Sequence, residues 1–234
     1  MKALSSLIRR AVGAKQYFLP PPPGKDNGEV AVMVHGLIRR GRNMHWLGRR
    51  VNRAGYAVYL YDYATTTKTI REHGLDFLAF IESVAADHPG KKINFVTHSM
   101  GGIITREVLG HINRGTAGRL NADDIGRVVM LAPPNHGSDA AKLALKLLPF
   151  SRRWIKPLGE LSSSPEAYIH QVPVPEKFDI GIIAGRFDNK VAGRYTILYG
   201  MRDHTVINST HSTIMYMRRA ARLSVHYLRS GCFS

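Results

Sequence analysis

Apolar residues follow two patterns along this chain, and each pattern predicts a different element. Short runs that are apolar nearly throughout are typical of strands buried on both faces of a sheet, and they occupy residues 29–34, 56–61, 92–98, 127–132 and 178–184. A further short strand is predicted at 205–208. Segments with apolar residues at helical spacing lie between these runs, among them 43–54, 70–86, 103–109 and 212–228. This alternation predicts a mostly parallel sheet with helices on both faces and a ligand site at the carboxyl ends of the strands.

One segment breaks the alternation between the last two long strand runs. Residues 138–176 contain a leucine-rich helix and a basic, aromatic turn, but no strand candidate. We expect a small cap insertion over the site, with Trp154, Ile155 and Leu158 facing an acyl group. The alternative is that its leucines simply pack on the sheet.

The start of the chain differs from the body in composition. Four prolines at 20–23 cannot enter a helix or a central strand, so they separate a basic arm and linker at 1–28 from an α/β domain at 29–234. Within the arm, residues 1–18 have basic residues, no acidic ones, and apolar positions at helical spacing. They predict a basic amphipathic helix that packs on the domain or touches a membrane surface, and an organellar transit segment remains an alternative.

The charge of the chain is strongly positive. It has 33 lysines and arginines against 17 acidic residues, a formal net charge of +16. The basic residues come in scattered pairs without a nucleic-acid recognition motif, so we expect no specific nucleic-acid partner. A solvated basic surface, an anionic membrane and an acidic substrate remain open. With Cys232 as the single cysteine, internal disulfides are impossible, which favours a reducing compartment and hence a cytoplasmic protein. Because of the basic charge, peripheral contact with a membrane is a further option.

The segment from Lys92 to Gly102 holds the first candidate for chemistry. Its apolar run ends at Ser99, and helical spacing resumes directly afterwards, so it predicts a strand, a tight elbow and a helix. Small neighbours are needed two positions away from such a serine. Gly101 meets this requirement, whereas Thr97 stands where a glycine is usual. A serine that only caps the helix is the alternative interpretation.

A serine nucleophile requires a base, an acid and amide donors. His211 alone precedes the final helix, and Asp188 directly follows the strand at 178–184, which gives the order serine, aspartate, histidine. Asp203 is the alternative acid. After the strand at 29–34, Gly36 permits a sharp turn that leaves the amide of Leu37 free to point into a site.

Other kinds of site find little support in the sequence. The metalloprotease pattern H-E-x-x-H, cysteine clusters and phosphate-binding glycine loops are all absent from it. We therefore expect neither a metal nor a cofactor.

Five motifs together resemble the lipase and esterase branch of the α/β-hydrolase superfamily, in particular small bacterial lipase-like hydrolases. They are Val34-His35-Gly36-Leu37, the elbow Thr97 to Gly102, the loop Leu131 to Ser138, the turn Asp188 to Val191, and the stretch Asp203 to Ser212. The resemblance implies an α/β-hydrolase fold with Ser99 as nucleophile, His211 as base and Asp188 as acid. It further implies an oxyanion hole built from the amides of Leu37 and Met100. Thr97 and Asn189 depart from the family pattern.

The expected function is hydrolysis of a carboxylic ester, lipid-like or small, through an acyl-enzyme on Ser99. An acyl thioesterase or acyltransferase of the same fold is one alternative. A catalytically degenerate hydrolase scaffold used for binding is another.

Overall fold

A computed structural model describes residues 15–148 and 150–234. Its centre is a seven-stranded sheet in the order β1-β3-β2-β4-β5-β6-β7. The edge strand β1 pairs antiparallel with β3, and all other neighbours are parallel. The strands are β1 (Lys15–Leu19), β2 (Val30–Val34), β3 (Ala57–Asp62), β4 (Ile93–His98), β5 (Ile125–Leu131), β6 (Asp179–Gly185) and β7 (Asp203–Ile207).

Eight α-helices are found in the described residues. They are α1 (His45–Arg53), α2 (Ile70–Asp87), α3 (Met100–Asn113), α4 (Asp139–Leu147), α5 (Ser151–Trp154), α6 (Pro157–Glu160), α7 (Gly193–Thr196) and α8 (Arg218–Ser230). Short 3-10 turns occupy Gly41–Met44, Ala122–Asp124, Tyr168–Gln171 and Ile214–Tyr216. None of the described helices is long and apolar enough to cross a membrane.

Both faces of the sheet are largely buried along the inner strands β2 to β6, which explains why these strands are mostly apolar. Side chains alternate between the faces along a strand. Val32 therefore packs with the apolar residues of α2 and α3. Its neighbour Met33 packs with those of α1 and α8 on the opposite face. The predicted α/β-hydrolase fold, with a mostly parallel sheet between two helical layers, is confirmed.

Local sequence signals set the ends of the helices. Thr69 caps α2 by accepting a hydrogen bond from the amide of Glu72, whose carboxylate in turn accepts one from the amide of Thr69. At the other end of the chain, α8 stops at Gly231, which adopts the left-handed conformation that glycine tolerates best.

The chain departs from the predicted elements at its start. Residues 15–19 form a sheet strand, where a helix was predicted over 1–18. Phe18 packs against Tyr59 of the neighbouring strand at 4.7 Å between ring centroids, and Pro20 follows the strand directly. Pairing with β3 therefore overrides the helical spacing here. The rest of the predicted helix, at 1–14, lies outside the described residues.

A second difference concerns the last helix, which begins at Arg218 and not at residue 212. A 3-10 turn at Ile214–Tyr216 precedes it, and Met217 is extended with φ −78° and ψ 129°. The segment 138–176 has no strand of its own in its described part, as predicted, and consists of α4, α5, α6 and a 3-10 turn.

Candidate active site

The elbow after β4 places Ser99 in a strained conformation. Its φ of 52° and ψ of −126° lie in a region that residues with side chains rarely adopt. The strand before it and the helix after it hold this geometry. A Cβ at Gly101 would lie 2.5 Å from the carbonyl oxygen of Val34, so only glycine fits there. A Cβ at Gly36 would lie 2.8 Å from the Cβ of Ser99, so this position also needs a glycine.

Thr97 takes the place of the usual first glycine without opening the elbow. Its side chain is fully buried, and its Oγ1 lies 3.2 Å from where a Cβ would stand on Gly102. Within the described part of the chain, this hydroxyl has no hydrogen-bond partner. The elbow thus accommodates threonine at the expense of one unsatisfied polar group.

Three side chains from separate loops meet at the carboxyl ends of the parallel strands. His211 Nε2 lies 3.0 Å from Ser99 Oγ, and His211 Nδ1 lies 2.7 Å from Asp188 Oδ2. Because a carboxylate only accepts, Nδ1 carries the proton, which leaves Nε2 of the neutral ring to accept from the serine hydroxyl. The other carboxylate oxygen of Asp188 accepts from the amides of Lys190 and Val191, at 2.9 and 2.8 Å.

Asp203, the alternative acid, lies at the amino ends of the strands, away from the carboxyl ends where His211 lies. It is the first residue of β7 and pairs with Gly181 near the amino end of β6. Its carboxylate accepts hydrogen bonds from the amides of His204 and Phe233. The structure therefore brings Asp188, and not Asp203, to His211.

His98 is a site residue that the sequence did not single out. It is almost fully buried, and its Nε2 donates to the carbonyl oxygen of His211 over 2.9 Å. The two rings pack at 4.9 Å between centroids. Burial, with the neighbouring His211 as a smaller contribution, lowers the pKa of His98 well below its usual value, so the ring is neutral at pH 7. His98 thus ties the loop that carries His211 to the elbow.

The turn after β2 carries Leu37 beside the elbow. Tyr63 holds this turn: its hydroxyl donates to the carbonyl oxygen of His35 over 2.8 Å, and its ring stacks on that imidazole. His35 also lies 3.2 Å from Asp62. Burial alone would raise the pKa of Asp62, but hydrogen bonds from His35 and from the Gly41 amide outweigh it and lower that pKa.

Two backbone amides near Ser99 have no backbone hydrogen-bond partner among the described residues. Leu37 N makes no hydrogen bond within the described residues. Met100 is the first residue of α3, where an amide has no partner inside the helix. Leu37 also lines the cavity that contains Ser99.

That cavity has a volume of about 390 Å³ and contains Ser99 and His211. Apolar residues from the 138–176 segment form one wall, namely Ala140, Ala141, Leu158 and Leu161. Of the three residues predicted to face an acyl group, only Leu158 lines it. Trp154 is 77% exposed and, like Ile155, lies outside the lining. The sequence missed Leu161, although its spacing of three from Leu158 places both on one side of a helical turn.

No group of three histidine, cysteine, aspartate or glutamate side chains suited to a metal ion occurs among the described residues.

Comparisons with known proteins identify the family and the fold of this chain. A family model described as serine aminopeptidase, S33, matches residues 25–167, which is more than half of the chain. The chain belongs to this hydrolase family. The matched part includes Ser99 and the turn at Leu37, but Asp188 and His211 of this S33-type chain lie beyond it. Comparison with curated proteins finds none of significantly similar sequence.

Solved structures share the fold of this S33-type hydrolase. The mature lipase BlEst2 of Bacillus licheniformis superposes with a TM-score of 0.71 over 86% of this chain and 92% of its own, at 18% identity. A monoacylglycerol lipase of Paleococcus ferrophilus gives 0.64 over 93% and 99%, at 17% identity. The esterase EaEST of Exiguobacterium antarcticum gives 0.65 over 93% and 96%, at 13% identity. At these identities the likeness extends to the fold alone, and it confirms the α/β-hydrolase assignment.

Proposed function

We propose that this protein hydrolyses carboxylic esters through an acyl-enzyme on Ser99. The observation that carries the proposal is the continuous hydrogen-bonded series from Ser99 through His211 to Asp188, which opens into an apolar cavity. A structural role for the serine would not require a histidine and a buried carboxylate in line behind it.

The mechanism follows from this geometry. Ser99 Oγ attacks the carbonyl carbon of the ester while His211 Nε2 takes its proton, and the amides of Leu37 and Met100 stabilise the oxyanion. Collapse of this intermediate breaks the ester C–O bond, and the leaving alcohol takes the proton from His211. Water then attacks the acyl-enzyme with His211 again as base, which releases the carboxylic acid and restores Ser99. Asp188 keeps the ring in the required tautomer throughout.

The lining of the cavity favours an ester over an N-terminal peptide, although the family description names an aminopeptidase. A carboxylate close to the serine would bind a free α-ammonium group through strong, charge-assisted hydrogen bonds. No aspartate or glutamate is among the described residues that line the cavity, and Arg39 and Lys190 do line it. Their charge would repel an ammonium group.

An exposed apolar surface beside the cavity supports a lipid-like substrate. It consists of five large apolar side chains, each more than half exposed, which we call the cap face: Leu143, Leu147, Leu148, Phe150 and Trp154. Lys142 and Lys146 are interspersed with them on α4. Apolar side chains mixed with lysines are typical of surfaces that bind an anionic membrane. We therefore propose peripheral contact with anionic lipid through this face.

A fluorophosphonate probe tests the central proposal, because it reacts only with an activated serine. Wild-type protein should be labelled and Ser99→Ala should not, while Ser163→Ala, which changes a serine outside the cavity lining, should keep the label. A series of p-nitrophenyl esters from acetate to palmitate then gives the preferred acyl length. Added alcohols that divert the acyl group would indicate a transferase, and faster turnover of matched thioesters a thioesterase. Folded wild-type protein that takes no label would overturn the proposal in favour of a binding scaffold.

A further inference from the structure

Two basic residues, Arg39 and Lys190, line the cavity together with His211. Arg39 Nη2 donates to the hydroxyl of Ser212, the residue after His211, over 2.8 Å. Lys190 lies two residues after Asp188, and its own amide donates to that carboxylate. The two residues therefore belong to two different loops, one bonded to the neighbour of His211 and the other bonded through its amide to Asp188.

The side chains of these two residues are not neutralised by acids in the described part of the chain. Neither forms an ion pair within 4.0 Å there, and the cavity lining includes no carboxylate. Two acids that are close in sequence to lining residues are engaged elsewhere. Asp188 bonds to His211, and Asp139 bonds to Ser163 and pairs with Arg194. Positive charge at the mouth thus remains available to a ligand.

The position of the two cations indicates which part of an ester they would meet. His211 returns its proton to the leaving oxygen, so the alcohol part must lie against His211. The acyl part then lies toward the apolar wall that includes Leu158 and Leu161. Arg39 and Lys190 stand beside His211 and hence on the alcohol side.

We propose that the preferred substrates are esters whose alcohol part carries an oxyanion, a phosphate or a carboxylate, which Arg39 and Lys190 bind. This inference rests on the proposed function and specifies its substrate class. The planar fork of an arginine matches such an oxyanion, and a lysine adds a second charge from the other side. The net charge of +16 attracts anionic substrates to the molecule as a whole, and among the described residues that line the cavity Arg39 and Lys190 are the two that carry a lysine or arginine charge.

Three soluble substrates with one acyl chain isolate the effect of the anion. They are the octanoyl esters of glycerol, of glycerol 3-phosphate and of glyceric acid, each below its micelle concentration so that surface binding plays no part. Release of octanoate gives kcat/KM for each. We expect the two anionic esters to exceed the neutral one by about 10-fold or more at low salt, and the difference to shrink at high salt. The ratio of the two anionic esters distinguishes a phosphate site from a carboxylate site.

The double variant Arg39→Gln/Lys190→Gln should bring the ratio of anionic to neutral kcat/KM close to one. The ratio is the readout because Arg39 also bonds Ser212, so loss of Arg39 is expected to lower all rates together. Arg39→Lys keeps the charge and should retain most of the preference. The matched control Lys177→Gln/Arg222→Gln removes the same net charge at exposed positions outside the cavity and should leave the ratio unchanged.

The results distinguish failure of this inference from failure of the proposed function. Hydrolysis of octanoylglycerol that depends on Ser99, with no preference for the anionic esters, overturns this inference and leaves the proposed function intact. A preference that survives in Arg39→Gln/Lys190→Gln, or that falls equally in the control, also overturns it. Failure to hydrolyse any of the three, together with no fluorophosphonate labelling, overturns the proposed function itself. Competitive inhibition of octanoylglycerol hydrolysis by glycerol 3-phosphate, weakened in the double variant, provides a second positive test.

Discussion

The two sides of the cavity are built in opposite ways. On the sheet side, His211 and Asp188 are buried, and each hydrogen-bonding atom of the Asp188 carboxylate has a partner within 3 Å. On the insertion side, α4 and α5 leave large apolar side chains in solvent, with Phe150 83% exposed and Leu147 69% exposed. One side is fixed by its own contacts, and the other presents surface that the described chain does not cover.

This difference follows from what each side is expected to do. Proton transfer between serine, histidine and aspartate requires atoms held within a few tenths of an ångström, which only packing and a satisfied hydrogen-bond network provide. Contact with a substrate of varied shape, or with a lipid surface, requires apolar area that stays accessible. We expect substitutions on the sheet side to change rates strongly and those on the insertion side to change binding moderately.

The strongest test of the sheet side compares its two candidate acids. Asp188→Asn should lower kcat by about 10²–10⁴-fold, because an amide in this position favours the wrong tautomer of His211. Asp203 lies at the amino end of β7, far from His211. The kcat of Asp203→Asn should therefore stay within about 3-fold of the wild-type value. Steady-state kinetics on a soluble ester measures both. An active Asp188→Asn beside an inactive Asp203→Asn would assign the acid role to Asp203.

A smaller but clear effect is expected from the hydrogen bond between His98 and the carbonyl of His211. His98→Phe keeps a ring of similar size but leaves that buried carbonyl unpaired, which should cost about 10–100-fold in kcat with little change in KM. His98→Gln retains a donor and should recover part of the loss. A His98→Phe enzyme that unfolds more readily but keeps its kcat would show that the contact serves stability alone.

The sequence was most informative about the catalytic residues, because their chemistry requires certain residue types and the fold requires them in a certain order along the chain. Ser99, Asp188 and His211 were predicted from their places after strands or before a helix, and the structure brings these three together. His98 could not be predicted in its observed role, since the hydrogen bond joins residues 113 positions apart. Edge strand β1 was missed because its pairing with β3, rather than any local pattern, determines its conformation.

The segment 138–176 was harder to predict in detail than in outline. Absence of strands between 138 and 176 was visible in the sequence, and so was a surplus of leucine. Which of its apolar residues face the cavity depends on how three short helices pack on one another. The spacing of apolar residues in the sequence predicts the helices but not this packing. Leu158 and Leu161 consequently line the cavity, whereas Trp154 points to solvent.

Vesicle binding tests the insertion side. The double variant Leu147→Ser/Trp154→Ser should weaken partitioning onto phosphatidylglycerol-containing vesicles by about 10-fold, because it removes two apolar side chains that would enter the interface. Sedimentation with vesicles measures this. The matched control Leu75→Ser/Tyr199→Ser changes exposed apolar residues outside the cap face and should bind normally. Equal loss in both would reject the cap face, and loss only on deletion of residues 1–14 would assign membrane contact to the N-terminal arm.

The smallest expected effect concerns the unsatisfied hydroxyl of Thr97 at the elbow. Thr97→Val replaces a buried hydroxyl that lacks a partner with a methyl group of nearly the same size. Since a buried polar group without a hydrogen bond is destabilising, the free energy of unfolding should rise by about 1 kcal/mol. Urea denaturation measures the change, and Thr97→Ser, which keeps the hydroxyl, serves as control. A less stable Thr97→Val would mean that the hydroxyl has a partner in solution and that Thr97 contributes to the elbow by more than its shape.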